Sequence, residues 1–153
     1  MNAVADDFGA EGVGSYFLHT NEAHPGEYYP HLTSMEQKFE HARALRDELG
    51  VTRSILVDEL DGACHRAYGS MPNMTWIFNS QATPYYKSNW TDSASVRNAI
   101  EYILDVRNRR RNREHLSMFL VERMDFRTQD HEAFFEGLAR NGPKAVREFK
   151  EAF

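Results

Sequence analysis

Pro72 does more than any other residue to limit what this chain can fold into. A proline fixes its own φ and has no N–H to give to a ladder, so it leads a strand or lies at an edge. The next residues fit the first case. Thr75, Trp76, Ile77 and Phe78 are β-prone, the mostly polar residues 79–84 make a turn, and residues 85–89, opening on Tyr85 and Tyr86, supply a second strand. Thr91 and Asp92 then offer caps to a helix on which Val96, Ile100, Ile103 and Leu104 recur at helical spacing. The reading is a proline-led hairpin with a helix packed on it. A cis Met71–Pro72 bond is expected, leaving the Met71 backbone free to pair with an extended ligand.

Upstream, residues 13–20 carry Val13, Tyr16, Phe17 and Leu18 in a near-continuous apolar block, the pattern of a strand covered on both faces. A polar loop comes next through Asn21, Glu22, Ala23, His24 and Pro25, and residues 26–32, rich in Tyr, Pro and Gly, read as irregular. Ser34 with Gln37 fits a capping box; Met35, Phe39, Ala42, Leu45 and Leu49 then trace one helical face until Gly50 supplies a left-handed stop. Residues 53–57 form a short β-prone run, 58–62 a turn, and 63–68 one or two helical turns. Strand, helix and strand alternate, which implies parallel pairing in an α/β sheet.

At 153 residues, 41% hydrophobic, the chain is long enough for one sizeable core and short for two independent domains. A formal net charge of -5 argues against nucleic acid as a partner, since phosphate binding needs a cationic surplus. No apolar run approaches the ~20 residues that span a bilayer, and the start lacks a signal-peptide pattern. A single cysteine, Cys64, makes no internal disulfide, and a reducing cytoplasm is the simplest setting. From Arg107 the character changes: residues 107–113 are a basic run, the pattern of a solvated helix end, with Glu114, Glu122 and Asp125 available to neutralise it. Residues 130–138 and 143–153 read as two short helices, and Phe134, Phe135, Leu138, Val146, Phe149 and Phe153 carry too much apolar surface for a free tail.

Glu22 and His24 come just after a strand end, where open α/β sheets bind ligands, and a carboxylate beside an imidazole makes a competent acid or base near neutral pH. Taken alone, the pair reads rather as a histidine bonded to the loop backbone beside a solvated glutamate. His19, His24, His31 and His65, with Glu22 and Asp61, are ligand types for zinc or iron, but their spacings match no standard motif and no metal is expected. Cys64 beside His65 reads as a small core residue rather than a thiolate, because neighbours in a helical turn point about 100° apart.

Residues 17–25, from Phe17 to the Glu22, Ala23, His24, Pro25 loop, resemble the strand and Glu-Ala-His-Pro loop of the iodothyronine deiodinase family. Residues 34–39 and 61–69 resemble segments of its bacterial members, and the layout of residues 68–91 resembles the second half of a thioredoxin-like domain. The resemblance covers roughly residues 1–107 in the family's order. It implies an α/β fold, a thioredoxin-like sheet flanked by helices over residues 1–106, without the usual first core strand and its Cys- or selenocysteine-bearing turn. Residues 107–153 would then be a basic linker and C-terminal helical extension. It further implies an oxidoreductase acting on a small organic substrate, with no bound cofactor, drawing on an external thiol reductant. Glu22 and His24 match the family's substrate-protonating residues, which favours the functional reading of that pair. Met71 and Pro72 would frame the pocket, with His31, near a second functional histidine of vertebrate members, and Tyr68 beside it. His19 stands where the family often has tyrosine, so substrate contact there is not implied.

The family's nucleophile is missing from the sequence, which leaves two other readings open. One is a non-redox acid/base or metal-dependent enzyme using Glu22, His24 and His65. The other is an inactive binding scaffold offering its proline loop and Tyr28, Tyr29 and Trp90. A sheet without its central strand would expose two buried edges, each unpaired group costing about 1 to 3 kcal/mol, so a homo-oligomer or a partner completing the sheet is expected.

Overall fold

The computed structural model describes residues 1–116 and 130–152. Glu122, Asp125, Gln129 and Phe153 of the sequence readings lie outside the described residues. The described elements run α1 (Asn2–Gly9), β1 (Tyr16–His19), α2 (Met35–Asp47), β2 (Ser54–Val57), α3 (Ala63–Tyr68), β3 (Thr75–Phe78), β4 (Pro84–Ser88), α4 (Ser93–Arg111), α5 (His131–Ala139) and α6 (Pro143–Ala152). The protein is mixed α/β, and among the described residues four strands form two sheets of two strands each, not one extended sheet. Two compact units divide the described residues, one holding residues 1–13 and 73–116, the other residues 14–72 and 130–152.

In the first unit β3 and β4 pair antiparallel, with Ile77 opposite Tyr86 and Trp76 opposite Lys87. Side chains alternate across a strand, so the two pairs face opposite ways. Ile77 and Tyr86 pack on a core of Val4 and Phe8 from α1 and Val96, Ile100 and Leu104 from α4. On the other face the Lys87 ammonium lies over the Trp76 ring at 5.2 Å. Asp92 caps α4 by accepting from Ser95 N at 2.7 Å, and the helix continues without a break through residue 106. At its C-terminal end Arg109 pairs with Glu114 at 2.8 Å, the acidic neutralisation expected of the basic run.

In the second unit β1 and β2 run parallel, Phe17 beside Ile55 and His19 beside Val57. The expected double-sided burial does not occur: Tyr16 is 64% exposed and Leu56 50%. Among the described residues α2 packs against β2, and on the opposite face Tyr16 and Leu56 stay exposed while Leu18 is half-buried. Ser34 caps α2, its hydroxyl accepting from Gln37 N, but Gln37 reaches back to Thr33 N instead of Ser34 N. Gly50, at φ 64, takes the left-handed position past the helix end. The buried face of α2 is Lys38, His41 and Ala42, while Phe39 and Leu49 of the expected apolar stripe are 45% and 49% exposed.

The Met71–Pro72 bond is trans, since no cis peptide occurs among the described residues. Trans is the ground state by about 0.5–1 kcal/mol, and the left-handed Ser70, at φ 60, already turns the chain before the proline. The C-terminal helices dock, as their apolar content predicts. Asn141, between α5 and α6, donates to His24 O at 2.7 Å and accepts from Tyr28 N at 3.1 Å. Gly26 is buried directly against the Asn141 carbonyl, where any β-carbon would collide.

Candidate functional site

The strand β1 ends at His19, on the face toward α2, and three residues later the chain has turned far enough to bring Glu22 over the same helix. His41, near the middle of α2, meets both. Its Nδ1 donates to Glu22 Oε1 at 2.9 Å, and its ring lies 6.4 Å from that of His19. One ligand-type atom from each of His19, Glu22 and His41 falls within 4.8 Å of the others, the one such group of His, Cys, Asp and Glu side chains among the described residues. Tyr29 packs edge-on against His41, ring centroids 5.1 Å apart, and its hydroxyl donates to Glu48 at 3.0 Å.

The electrostatics of this group are set by burial. His19 is 6% exposed, and its Nε2 is buried with no hydrogen-bond partner among the described residues. Burial, reinforced by the charge of Lys38 and by the neighbouring His41, pushes its pKa down to about 4, so the ring is neutral at physiological pH and keeps a lone pair. Lys38, 1% exposed, donates from Nζ to Glu59 O at 3.0 Å. Burial lowers its pKa, opposed by the carboxylates of Asp58, Glu59 and Asp61. Asp58 accepts from Glu59 N and Cys64 N on one oxygen and from His65 N on the other, at 2.8, 3.0 and 2.8 Å, anchoring the start of α3.

The sequence-predicted residues go to three different neighbourhoods. Glu22 bonds to His41. His24 is held between the C-terminal helices, its ring 5.5 Å from that of Phe149 and 6.5 Å from that of Phe134. His65, half-buried, donates from Nε2 to Met71 O at 2.8 Å, which joins one expected catalytic residue to one expected substrate contact. Glu22, His24 and His65 therefore do not make one cluster, because their ring and carboxylate atoms are committed to different partners. Met71, Pro72, Tyr68 and His31 are exposed. Cys64 is half-buried with its thiol reduced, and its backbone N–H is the group that Asp58 holds.

No protein-family model matches the chain, and neither the curated proteins nor the solved structures yield a match. No helix among the described residues is long and apolar enough to cross a membrane.

Sequence reasoning missed His41. It sits on the helix between Phe39 and Ala42, where an apolar-stripe reading assigns it to solvent. The signal available was weak: Lys38 and His41, three apart on one face, opposite a loop rich in carboxylates.

Proposed function

We propose that the protein is an acid–base enzyme for a small organic substrate, with Glu22 and His41 as its working pair. The observation that carries this reading is their 2.9 Å contact between side chains only 18% and 9% exposed. A carboxylate on one imidazole nitrogen fixes the tautomer and aims the other nitrogen at a reacting proton. Tyr29, packed against His41, supplies an aromatic wall for an organic ligand.

A second reading comes from the deiodinase-like resemblance, and the order of strand, Glu22 loop, helix, strand, hairpin and helix supports it. In that reading the chain is a divergent thioredoxin-like oxidoreductase of the cytoplasm, using an external thiol, with His65, Met71, Pro72, His31 and Tyr68 around the substrate. Under either reading we expect a homo-oligomer, because each of the four strands is paired by one neighbour only among the described residues. Sedimentation at micromolar concentration measures that directly.

The two chemistries separate in one assay set. Purified protein is offered p-nitrophenyl esters and halogenated phenols with and without dithiothreitol, alongside Glu22→Gln, His41→Asn and Cys64→Ser. Turnover indifferent to thiol and lost in the first two variants supports the acid–base reading. Turnover that needs thiol and falls with Cys64→Ser replaces it with the oxidoreductase. No turnover in any combination leaves the binding scaffold.

A further inference from the structure

We propose that His19, Glu22 and His41 together bind one divalent first-row transition-metal ion, of the zinc or iron(II) class. Two imidazoles and a carboxylate are the donor set of catalytic zinc sites and of facial-triad iron sites, both of which leave positions open for water or substrate. The three ligand atoms already lie within 4.8 Å of one another. A tetrahedral ion with ligand bonds near 2.1 Å wants them about 3.4 Å apart, so the 2.9 Å Glu22–His41 contact must open slightly while any wider spacing, at most 4.8 Å, closes.

A second observation points to the same ligand. His19 is only 6% exposed, and its Nε2 has no hydrogen-bond partner among the described residues. A buried polar atom left unpaired is destabilising, and a metal ion is a partner that would remove the cost. The other two ligands are preset, since Glu22 already holds His41 in place at 2.9 Å. On binding, His41 gives its Nδ1 lone pair to the ion and carries its proton on Nε2, the tautomer change that ligation of this nitrogen needs.

One group opposes the ion. Lys38 faces His19, and its charge disfavours a second cation there. It is drawn the other way by its bond to Glu59 O and by the carboxylates of Asp58, Glu59 and Asp61. The site is therefore expected to bind more weakly than a His₂Glu set free of cations.

The inference goes beyond the acid–base reading, since an ion would take up the Glu22 and His41 atoms that pair with each other in that reading; its test measures occupancy and not turnover, so either can fail alone. The full chain, without an affinity tag, is stripped with chelator and titrated with CoCl₂ and with ZnCl₂. One equivalent of Co²⁺ with visible d–d absorption, displaced by Zn²⁺, is the expected result. His19→Ala, Glu22→Gln and His41→Ala should each weaken Zn²⁺ binding at least tenfold, while His24→Ala and His65→Ala leave it within twofold. If a ligand variant does not fold, long-range ¹H–¹⁵N spectra of the unmutated protein answer instead: zinc must move the ring nitrogens of His19 and His41 and of no other histidine. Absence of stoichiometric binding at micromolar Co²⁺ and Zn²⁺, or perturbation centred on His24, His65 or His31, overturns the proposal.

Discussion

Glu22 and His41, nineteen positions apart, meet at 2.9 Å across the space between the end of β1 and the middle of α2. The contact links the loop after the strand to the helix that covers the sheet, so it fixes the course of the chain as well as placing an acid beside a base. Replacing Glu22 by Ala leaves His41 buried and unpaired, and the expected loss of stability is about 1–3 kcal/mol by urea unfolding. A double-mutant cycle with His41→Ala should return a coupling of about 1 kcal/mol or more. Additive effects of the two substitutions would mean that the bond contributes nothing.

Lys38→Met should strengthen Zn²⁺ binding about three- to tenfold, because it removes the cation facing His19 while keeping a stem that fills the same space. Stability should move by no more than about 1 kcal/mol, since a buried charge is exchanged for a packed apolar chain. Calorimetric titration against the parent protein decides it, and weaker binding in the variant would place the lysine among the supporting groups.

Asp58 makes the acid limb of the stability curve predictable. Burial pushes its pKa up most, yet the N–H groups of His65, Cys64 and Glu59 and the charge of Lys38 together hold it below the ordinary carboxylate value. The fold therefore favours the ionised form: its contribution is complete above about pH 4 and is lost as pH falls through the lower folded value, where the native state finally takes up the proton. Asp58→Asn should flatten this limb in melting curves taken between about pH 5 and 2. Asp58→Ala, which strands three backbone donors, should cost about 2–4 kcal/mol at neutral pH. An unchanged acid limb in the asparagine variant would remove Asp58 as its source.

Gly26→Ala should undock the C-terminal helices. The added methyl meets the carbonyl of Asn141, backbone that cannot move aside without breaking the bonds to His24 and Tyr28. Hydrogen exchange in α5 and α6 should accelerate at least tenfold while β3, β4 and α4 keep their protection. Protection unchanged in all of these elements would show that the docking tolerates the methyl group.

Local structure was readable in the sequence wherever the cause is local. Ser34, Asp92, Gly50 and Pro143 mark helix ends through their own backbone and side-chain preferences, and β3 falls on the aromatic run just after Pro72. The strand, helix, strand alternation led correctly to the parallel pairing of β1 with β2. The burial pattern of α2 was not readable, because what makes Lys38 and His41 acceptable inside is supplied by Glu59 O and Glu22, acceptors from other parts of the chain. The site shifted for the same reason: Glu22 was found from its place after a strand, whereas its partner is a histidine of α2 and not the neighbouring His24. His24 is occupied by Phe134 and Phe149, contacts made across more than a hundred residues that no local pattern announces.

The bond from Asn141 to His24 spans 117 positions, and that span sets an order of events in the living cell. At about 5–20 residues per second, a ribosome needs roughly 6 to 23 s to travel from one partner to the other. Throughout that interval the backbone of His24 and Tyr28 lacks the residue that will hold it, whereas His19, Glu22 and His41 are made within 22 positions of one another. The far end of the loop is thus a late product of synthesis, fixed only when α5 and α6 arrive.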